Sequence, residues 1–147
     1  MSQLFGDKSE YISDCRFKIS DLFVAGSTNS DDLKRRTKSF ALMAIRVCQS
    51  LPRSQASTVI TRQLLRSATS VGANYRAVRR ARSTADFVSK LGIVLEEADE
   101  TLFWLELLIE SGATHPEKLT ALLKEADELV AIFVASLRTA KGLKSAI

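Results

Sequence analysis

Apolar residues recur at helical spacing in four segments of the chain, and turn-forming residues separate these segments. In the first segment, Phe40, Ala44 and Leu51 share one face, and Pro52 ends the pattern. A period of 3.6 residues is typical of amphipathic helices. The predicted helices span about residues 32–51, 55–80, 84–111 and 116–140. Because their connections are short, neighbours should be antiparallel, which predicts an all-α, up-down-up-down four-helix bundle.

Capping residues mark the ends of the later helices. Ser83 followed by Asp86 resembles a capping box at the start of the third helix, and Gly112 supplies its C-terminal stop. Thr114 is suited to cap the fourth helix, and Gly142 is expected to follow its end.

The segments outside the helices define the domain organisation. Residues 26–30 read Gly-Ser-Thr-Asn-Ser, a linker composition. We therefore predict an N-terminal arm over residues 1–30, the bundle over 31–142 and a tail over 143–147. The N-terminus lacks a signal-peptide pattern, and the apolar run at 129–137 is short of the ~20 residues that span a bilayer. With only two cysteines, far apart, we expect a cytoplasmic protein without a membrane partner.

The charge of the chain reverses between the second and third helices. Residues 53–82 contain seven arginines and no acid, whereas residues 83–112 contain seven acids and one lysine. The net charge of +4 hides this polarity. Charge distribution bears on partners rather than on fold, so the reversal predicts one face for polyanions or acidic partners and another for cations or a second copy.

The arginines of the second helix form a stripe. At 100° per residue, Arg62, Arg66, Arg76 and Arg80 lie opposite the apolar face and extend over about 27 Å. Arginine forms forked hydrogen bonds to phosphate and carboxylate alike. The other candidate binding residues are Arg79 and Arg82, and Lys34, Arg35 and Arg36 at the start of the first helix.

The outer face of the third helix is acidic but contains apolar residues. Phe103 and Leu107 lie among acids that include Glu96 and Glu100. A large aromatic residue within a charged stripe favours a subunit contact with Phe103 as anchor. We expect the outer faces of the second and third helices not to meet within one bundle. The arginines would then pair with another subunit, bind nucleic acid or an acidic protein, or remain solvated.

Few residues point to catalysis or to a metal. His115 is the only histidine, and no Gly-rich phosphate motif or Cys/His cluster with metal spacing is present. Bundle di-metal sites need inward Glu-x-x-His pairs, which the third helix lacks. We therefore predict no enzymatic activity, no metal and no cofactor.

Four further residues of the first two helices carry packing predictions. Cys48 should pack beside the core, and Tyr75 should lie on the core side. Asn74 is expected to make a buried hydrogen bond between helices. Gly72, in the middle of a helix, predicts either close helix packing or a bend.

The central sequence resembles a known bacterial family. The resemblance rests on SVGANYR at 70–76, RARS at 80–83, DF at 86–87 and EEADETLFWLELL at 96–108. These segments are similar to the four-helix-bundle proteins encoded within intervening sequences of 23S ribosomal RNA genes. The same fold family includes accessory variability proteins of diversity-generating retroelements. The resemblance covers roughly residues 32–140 and leaves out the N-terminal arm.

This resemblance implies a bundle that assembles into a ring, typically a homopentamer, without known enzymatic activity. In the retroelement branch it implies binding to a reverse transcriptase and to nucleic acid through a basic surface. The family usually has an acid one residue after the position of Arg76, where this chain has Ala77. The sequence therefore leaves two hypotheses: a nucleic-acid-binding oligomeric adaptor, and a structural assembly module whose basic and acidic helices pair between subunits.

Overall fold

The protein is a bundle of four long helices. The computed structural model describes residues 30–145, so the predicted arm, apart from Ser30, lies outside the described residues. The helices are α1 (Ser30–Ser50), α2 (Gln55–Val78), α3 (Thr84–Glu110) and α4 (Thr120–Ser145). Each packs against the next along the chain. The first helix, α1, also packs against the last, α4, but less extensively. The predicted all-α, up-down arrangement is confirmed.

Local hydrogen bonds explain where α2 and α3 begin and end. Ser54 and Ser57 form a reciprocal capping box at the start of α2, which the sequence reading missed. The Ser83 hydroxyl accepts the Asp86 N–H, as predicted, but the Asp86 carboxylate accepts the N–H of Arg82 rather than that of Ser83. Gly112 adopts φ +72 just after α3 and so confirms the predicted stop.

The ends of the fourth helix differ from the prediction. Pro116–Lys118 form a separate 3-10 turn, and α4 begins only at Thr120. Thr114 does not cap this region, since His115 precedes the turn and the buried Thr114 hydroxyl has no hydrogen-bond partner within the described residues. At the other end, α4 continues through Gly142, because a glycine lowers helix propensity without preventing helical geometry.

The core lies between the four helices and is rich in leucine and aromatic residues. Tyr75 of α2 is buried, as predicted, and stacks on Phe133 of α4 at a ring-centroid distance of 6.2 Å. Burial raises the pKa of Tyr75 to about 12. Cys48 packs against the core, as predicted, and burial raises the pKa of its thiol to about 11. None of the helices in the described residues is long and apolar enough to cross a membrane.

Two contacts fix the position of α2 against its neighbours. A β-carbon at Gly72 would lie 3.1 Å from the carbonyl oxygen of Thr37, so the prediction of close packing at this glycine is confirmed. On the other side, the buried hydroxyls of Ser67 and Thr101 lie 2.9 Å apart and join α2 to α3. The prediction for Asn74 is wrong: its amide donates to the Ser70 carbonyl within α2, because the side chain lies along its own helix.

Candidate functional site

The predicted arginine stripe lies on the exposed side of α2. Arg62, Arg66, Arg76 and Arg80 are all exposed, as the helical period predicts. The surroundings of these arginines differ, however, and on this basis the stripe has two parts. Arg66 faces acids of α3, whereas Arg76 and Arg80 lie where α2 ends and α3 begins.

Arg66 is paired within its own chain. Its guanidinium contacts Glu100 at 2.5 Å and Glu97 at 3.6 Å, and Glu100 also accepts the indole N–H of Trp104 at 3.0 Å. The expectation that the outer faces of these helices cannot meet within one bundle is therefore wrong. A helical wheel gives the direction of the α-carbon, but a long arginine side chain crosses the groove between adjacent helices.

This pairing shifts the ionisation of the acid. The hydrogen bond from Arg66, and then that from Trp104, lowers the pKa of Glu100 below its ordinary value of 4.5. Glu100, predicted as a subunit contact, thus already has two donors in the isolated chain. One Glu97 carboxylate oxygen is buried without a hydrogen-bond partner among the described residues.

Three other predicted binding residues take part in contacts within or between helices. Arg36 of α1 forms a bidentate pair with Glu125 of α4 and a further contact with Glu128 at 2.8 Å. Arg79 binds Ser30 and Asp31 at the start of α1. Arg35 pairs with Asp32 one turn earlier in the same helix, and Lys34 is exposed beside it. The contacts of Arg36 and Arg79 join helices, which gives both residues a structural role.

Three of the predicted arginines and one lysine surround a shallow depression at one end of the bundle. Its volume is about 500 Å³. Two small residues, Ala73 and Ala77, line it together with the cations Arg76, Arg80, Arg82 and Lys90. Arg62, Arg76 and Arg80 form no ion pair within the part of the chain that the structure describes. Unneutralised arginines around a concavity are suited to bind phosphate or carboxylate groups.

A single acid orders one side of this depression. The Asp86 carboxylate accepts hydrogen bonds from the Lys90 ammonium at 2.8 Å and from the backbone N–H of Arg82 at 3.0 Å. The hydrogen bond from Lys90, followed by that from Arg82, lowers the pKa of Asp86. Asp86 thereby fixes the turn that carries Arg82 and the first helical turns that carry Lys90.

Lys90 is the site residue that the sequence reading missed. It is the one lysine of the acidic segment, so the charge pattern does not group it with the arginines of α2. The signal that could have found it is topological: the connection 79–83 is short, so the start of α3 must lie beside the end of α2.

The outer face of α3 carries the predicted subunit contacts. Phe103 is 50% exposed and lies edge-on to Trp104, and Ile93 is 46% exposed. The helical period places Ile93, Glu96, Glu100, Phe103 and Leu107 within one sector of α3. Two large, half-exposed apolar side chains on one face mark it as a candidate contact surface.

The described residues offer no arrangement for a metal. Within residues 30–145, no group of three or more His, Cys, Asp or Glu side chains is placed to hold a metal ion. His115 is exposed at the start of the 3-10 turn, and its imidazole makes no hydrogen bond that caps this turn.

Comparisons with known proteins cover the bundle. The sequence model of the 23S rRNA-intervening sequence protein family matches residues 31–135. A solved structure from Bacteroides thetaiotaomicron VPI-5482, described as a protein of unknown function from the S23 ribosomal protein family, is also similar. It shares 34% sequence identity and a TM-score of 0.68, and the match covers 74% of this chain and 97% of that chain. No curated protein matches this chain.

Proposed function

Because this chain belongs to the 23S rRNA-intervening sequence protein family, we propose that it is a non-enzymatic, homo-oligomeric adaptor that binds nucleic acid. The observation that carries the proposal is the open basic depression of Arg76, Arg80, Arg82 and Lys90. Arg36, Arg66 and Arg79 are paired with nearby acids, whereas Arg76 and Arg80 form no ion pair within the described residues. Phosphate contacts of arginine and lysine supply most of the affinity for nucleic acid.

The nucleic-acid surface consists of this depression and of Arg62, with Lys34 as an outlying cation. Arg36 and Arg79 are left out of it because their guanidinium groups join helices. Arg66 contributes only where a phosphate displaces Glu100. The resemblance to retroelement accessory proteins supports the finer parts of the proposal, which are a ring of subunits, typically five, and a reverse transcriptase as protein partner.

Binding of a fluorescently labelled RNA, followed by anisotropy, tests the proposal. With three or four cations engaged, the affinity should fall with a logarithmic salt slope of about −2 to −3 between ~50 mM and ~200 mM salt. Changing Arg76 and Arg80 together to Glu should weaken binding at least about tenfold on every RNA sequence, since two charge-assisted hydrogen-bond donors are replaced by acids.

A matched variant controls for net charge. Lys124 and Arg138 are exposed on α4 and lie outside the basic depression. Changing both to Glu alters the net charge equally and should leave the affinity nearly unchanged. Equal losses in the two double variants would reduce the effect to net charge and contradict the proposal, and so would no binding of the wild type at ~50 mM salt.

A structural assembly module is the second candidate, and the half-exposed Phe103 and Ile93 favour it. In this case α3 acts as a contact between copies and no nucleic acid is bound. Glu96→Arg, at an acid that forms no ion pair in the described part of the chain, and Phe103→Ala should each lower the native mass while helix content persists. Native mass spectrometry and circular dichroism measure both quantities, and a monomeric wild type would exclude this candidate.

A further inference from the structure

The basic depression is short, and uncharged and acidic residues bound it. Arg76 to Arg82 span about 9 Å along the end of α2 and its turn. Towards the middle of the bundle, the exposed side of α2 next carries Ala73 and Thr69. Beyond them, about 15 Å from Arg76, Arg66 is neutralised by Glu97 and Glu100. A strand that followed the whole stripe would therefore meet the acidic surface of α3.

The cations at the depression are concentrated rather than spread out. Arg76 lies in the last turn of α2 and Arg80 follows the end of that helix, and both line the depression. Arg82 comes from the turn and Lys90 from α3, so two helices and their connection converge on one small volume. Ala77 lines the depression, so no side-chain charge at this position opposes an anion.

A phosphomonoester matches this arrangement better than an internal phosphodiester does. A diester carries one negative charge, whereas a monoester carries about −1.5 to −2 at pH 7 and presents three acceptor oxygens. Two arginine forks supply donors from several directions to those oxygens, and the Lys90 ammonium, which already donates to Asp86, has two further protons to offer.

We propose that the depression of Arg76, Arg80, Arg82 and Lys90 binds the terminal phosphate of a nucleic-acid strand. The inference rests on the proposed function for the source of the phosphate, the end of a strand. The chemistry alone would equally accept a small phosphomonoester. The protein then recognises a phosphorylated end. The rest of the strand extends away from the depression without crossing the acidic face of α3.

The test compares two RNAs of one sequence, on the order of 12 nucleotides long, which is within the range that a single site covers. One RNA carries a 5′-phosphate and the other a 5′-hydroxyl, with the fluorescent label at the 3′ end of both. Wild-type protein should bind the phosphorylated RNA about tenfold more tightly, the effect of one additional charge-assisted hydrogen bond. Adenosine 5′-monophosphate should displace it, whereas adenosine should not.

Ala77→Glu places an acid in the depression without removing a cation. It should abolish the preference for the phosphorylated RNA, whereas Ala131→Glu, at an exposed position of α4, should retain it. The two variants have the same change in composition and charge. Thermal melts of both confirm that the fold persists, and a preference that survives Ala77→Glu would contradict the inference.

The outcomes separate this inference from the proposed function. Equal affinity for the two RNAs would overturn the inference and leave the adaptor function intact. Binding of adenosine 5′-monophosphate, but of neither RNA, would support the phosphomonoester site, with a small molecule as its ligand, and overturn the adaptor function. Absence of any phosphate-dependent binding together with absence of RNA binding would overturn both.

Discussion

Two mid-helix glycines lie in opposite surroundings. Gly72 of α2 faces the backbone of α1 so closely that an added β-carbon would lie 3.1 Å from the Thr37 carbonyl oxygen, whereas nothing lies within 4 Å of an added β-carbon at Gly92 of α3. Alanine gains about 1 kcal/mol of helix propensity over glycine at either position. The difference between the two substitutions therefore isolates the contact between α1 and α2.

We expect Gly92→Ala to raise the free energy of unfolding by about 0.5–1 kcal/mol. Gly72→Ala should lose most or all of this gain, and Gly72→Val should destabilise the protein by about 1–3 kcal/mol because the helix backbones must separate. Urea denaturation measures all three variants. A Gly72→Ala variant as stable as Gly92→Ala would mean that the helices do not approach closely in solution.

The ion pair at Glu100 can be followed through Trp104, the only tryptophan of the chain. Its indole donates to the carboxylate that Arg66 also binds, and both bonds lower the pKa of Glu100 below 4.5. Because the pKa is lower in the folded state, this stabilisation is complete above the unfolded value and is lost as the pH falls through the folded value.

Trp104 fluorescence should therefore titrate with a midpoint below pH 4.5 while helix content persists. Arg66→Gln should move this midpoint upward, because Glu100 loses its strongest donor. Arg62→Gln is the matched control, since Arg62 is exposed and forms no ion pair within residues 30–142, and it should leave the midpoint unchanged. Equal shifts in both variants would assign the effect to general charge.

Between elements, an arginine of α1 bridges to two acids of α4. Their helices touch least of all neighbours in the bundle, and the Arg36 guanidinium bridges them through Glu125 and Glu128. Its side chain is 24% exposed, and it makes a bidentate pair plus a further contact. The stabilisation from this network should therefore exceed that of an isolated surface ion pair, which contributes about 0–1 kcal/mol.

Arg36→Ala should accordingly lower the free energy of unfolding by about 1–2 kcal/mol, and a double-mutant cycle with Glu125→Ala should show coupling. Arg76→Ala should leave stability nearly unchanged and weaken RNA binding instead. Denaturation and anisotropy on both variants give the two readouts. If Arg36→Ala lost RNA affinity at unchanged stability, the division into structural and binding arginines would be wrong.

The helical period predicted the four helices because each buries one apolar face. It could not predict the 3-10 turn at Pro116 or the passage of α4 through Gly142, which depend on local geometry at the end of the bundle. The stripe was predictable from 100° steps, but the pairing of Arg66 with Glu97 and Glu100 was not. That pairing depends on the register of α2 against α3, and the sequence pattern of one helix carries no information about this register.

At the scale of the whole molecule, the basic depression and Phe103 lie towards opposite ends of α3. Lys90 lines the depression and lies about 20 Å from Phe103 along the helix, whereas Ile93, at the near end of the apolar face, is less than one turn from Lys90. A second copy seated on Phe103 and away from Ile93 would therefore leave the depression open. Assembly and phosphate binding can then coexist, and a strand phosphorylated at both ends can occupy two depressions of one oligomer.

This separation predicts that assembly acts on affinity only through avidity. Phe103→Ala should lower the native mass and weaken binding of a long RNA phosphorylated at both ends by about tenfold or more, while a short strand with one terminal phosphate keeps its affinity. Val59→Ala, at another exposed apolar residue, should change neither quantity. Native mass spectrometry and anisotropy with both RNAs measure the effect. A loss of affinity for the short strand in Phe103→Ala would show that the partner subunit completes the site, since an independent depression binds one phosphate group equally well in a monomer and in an oligomer.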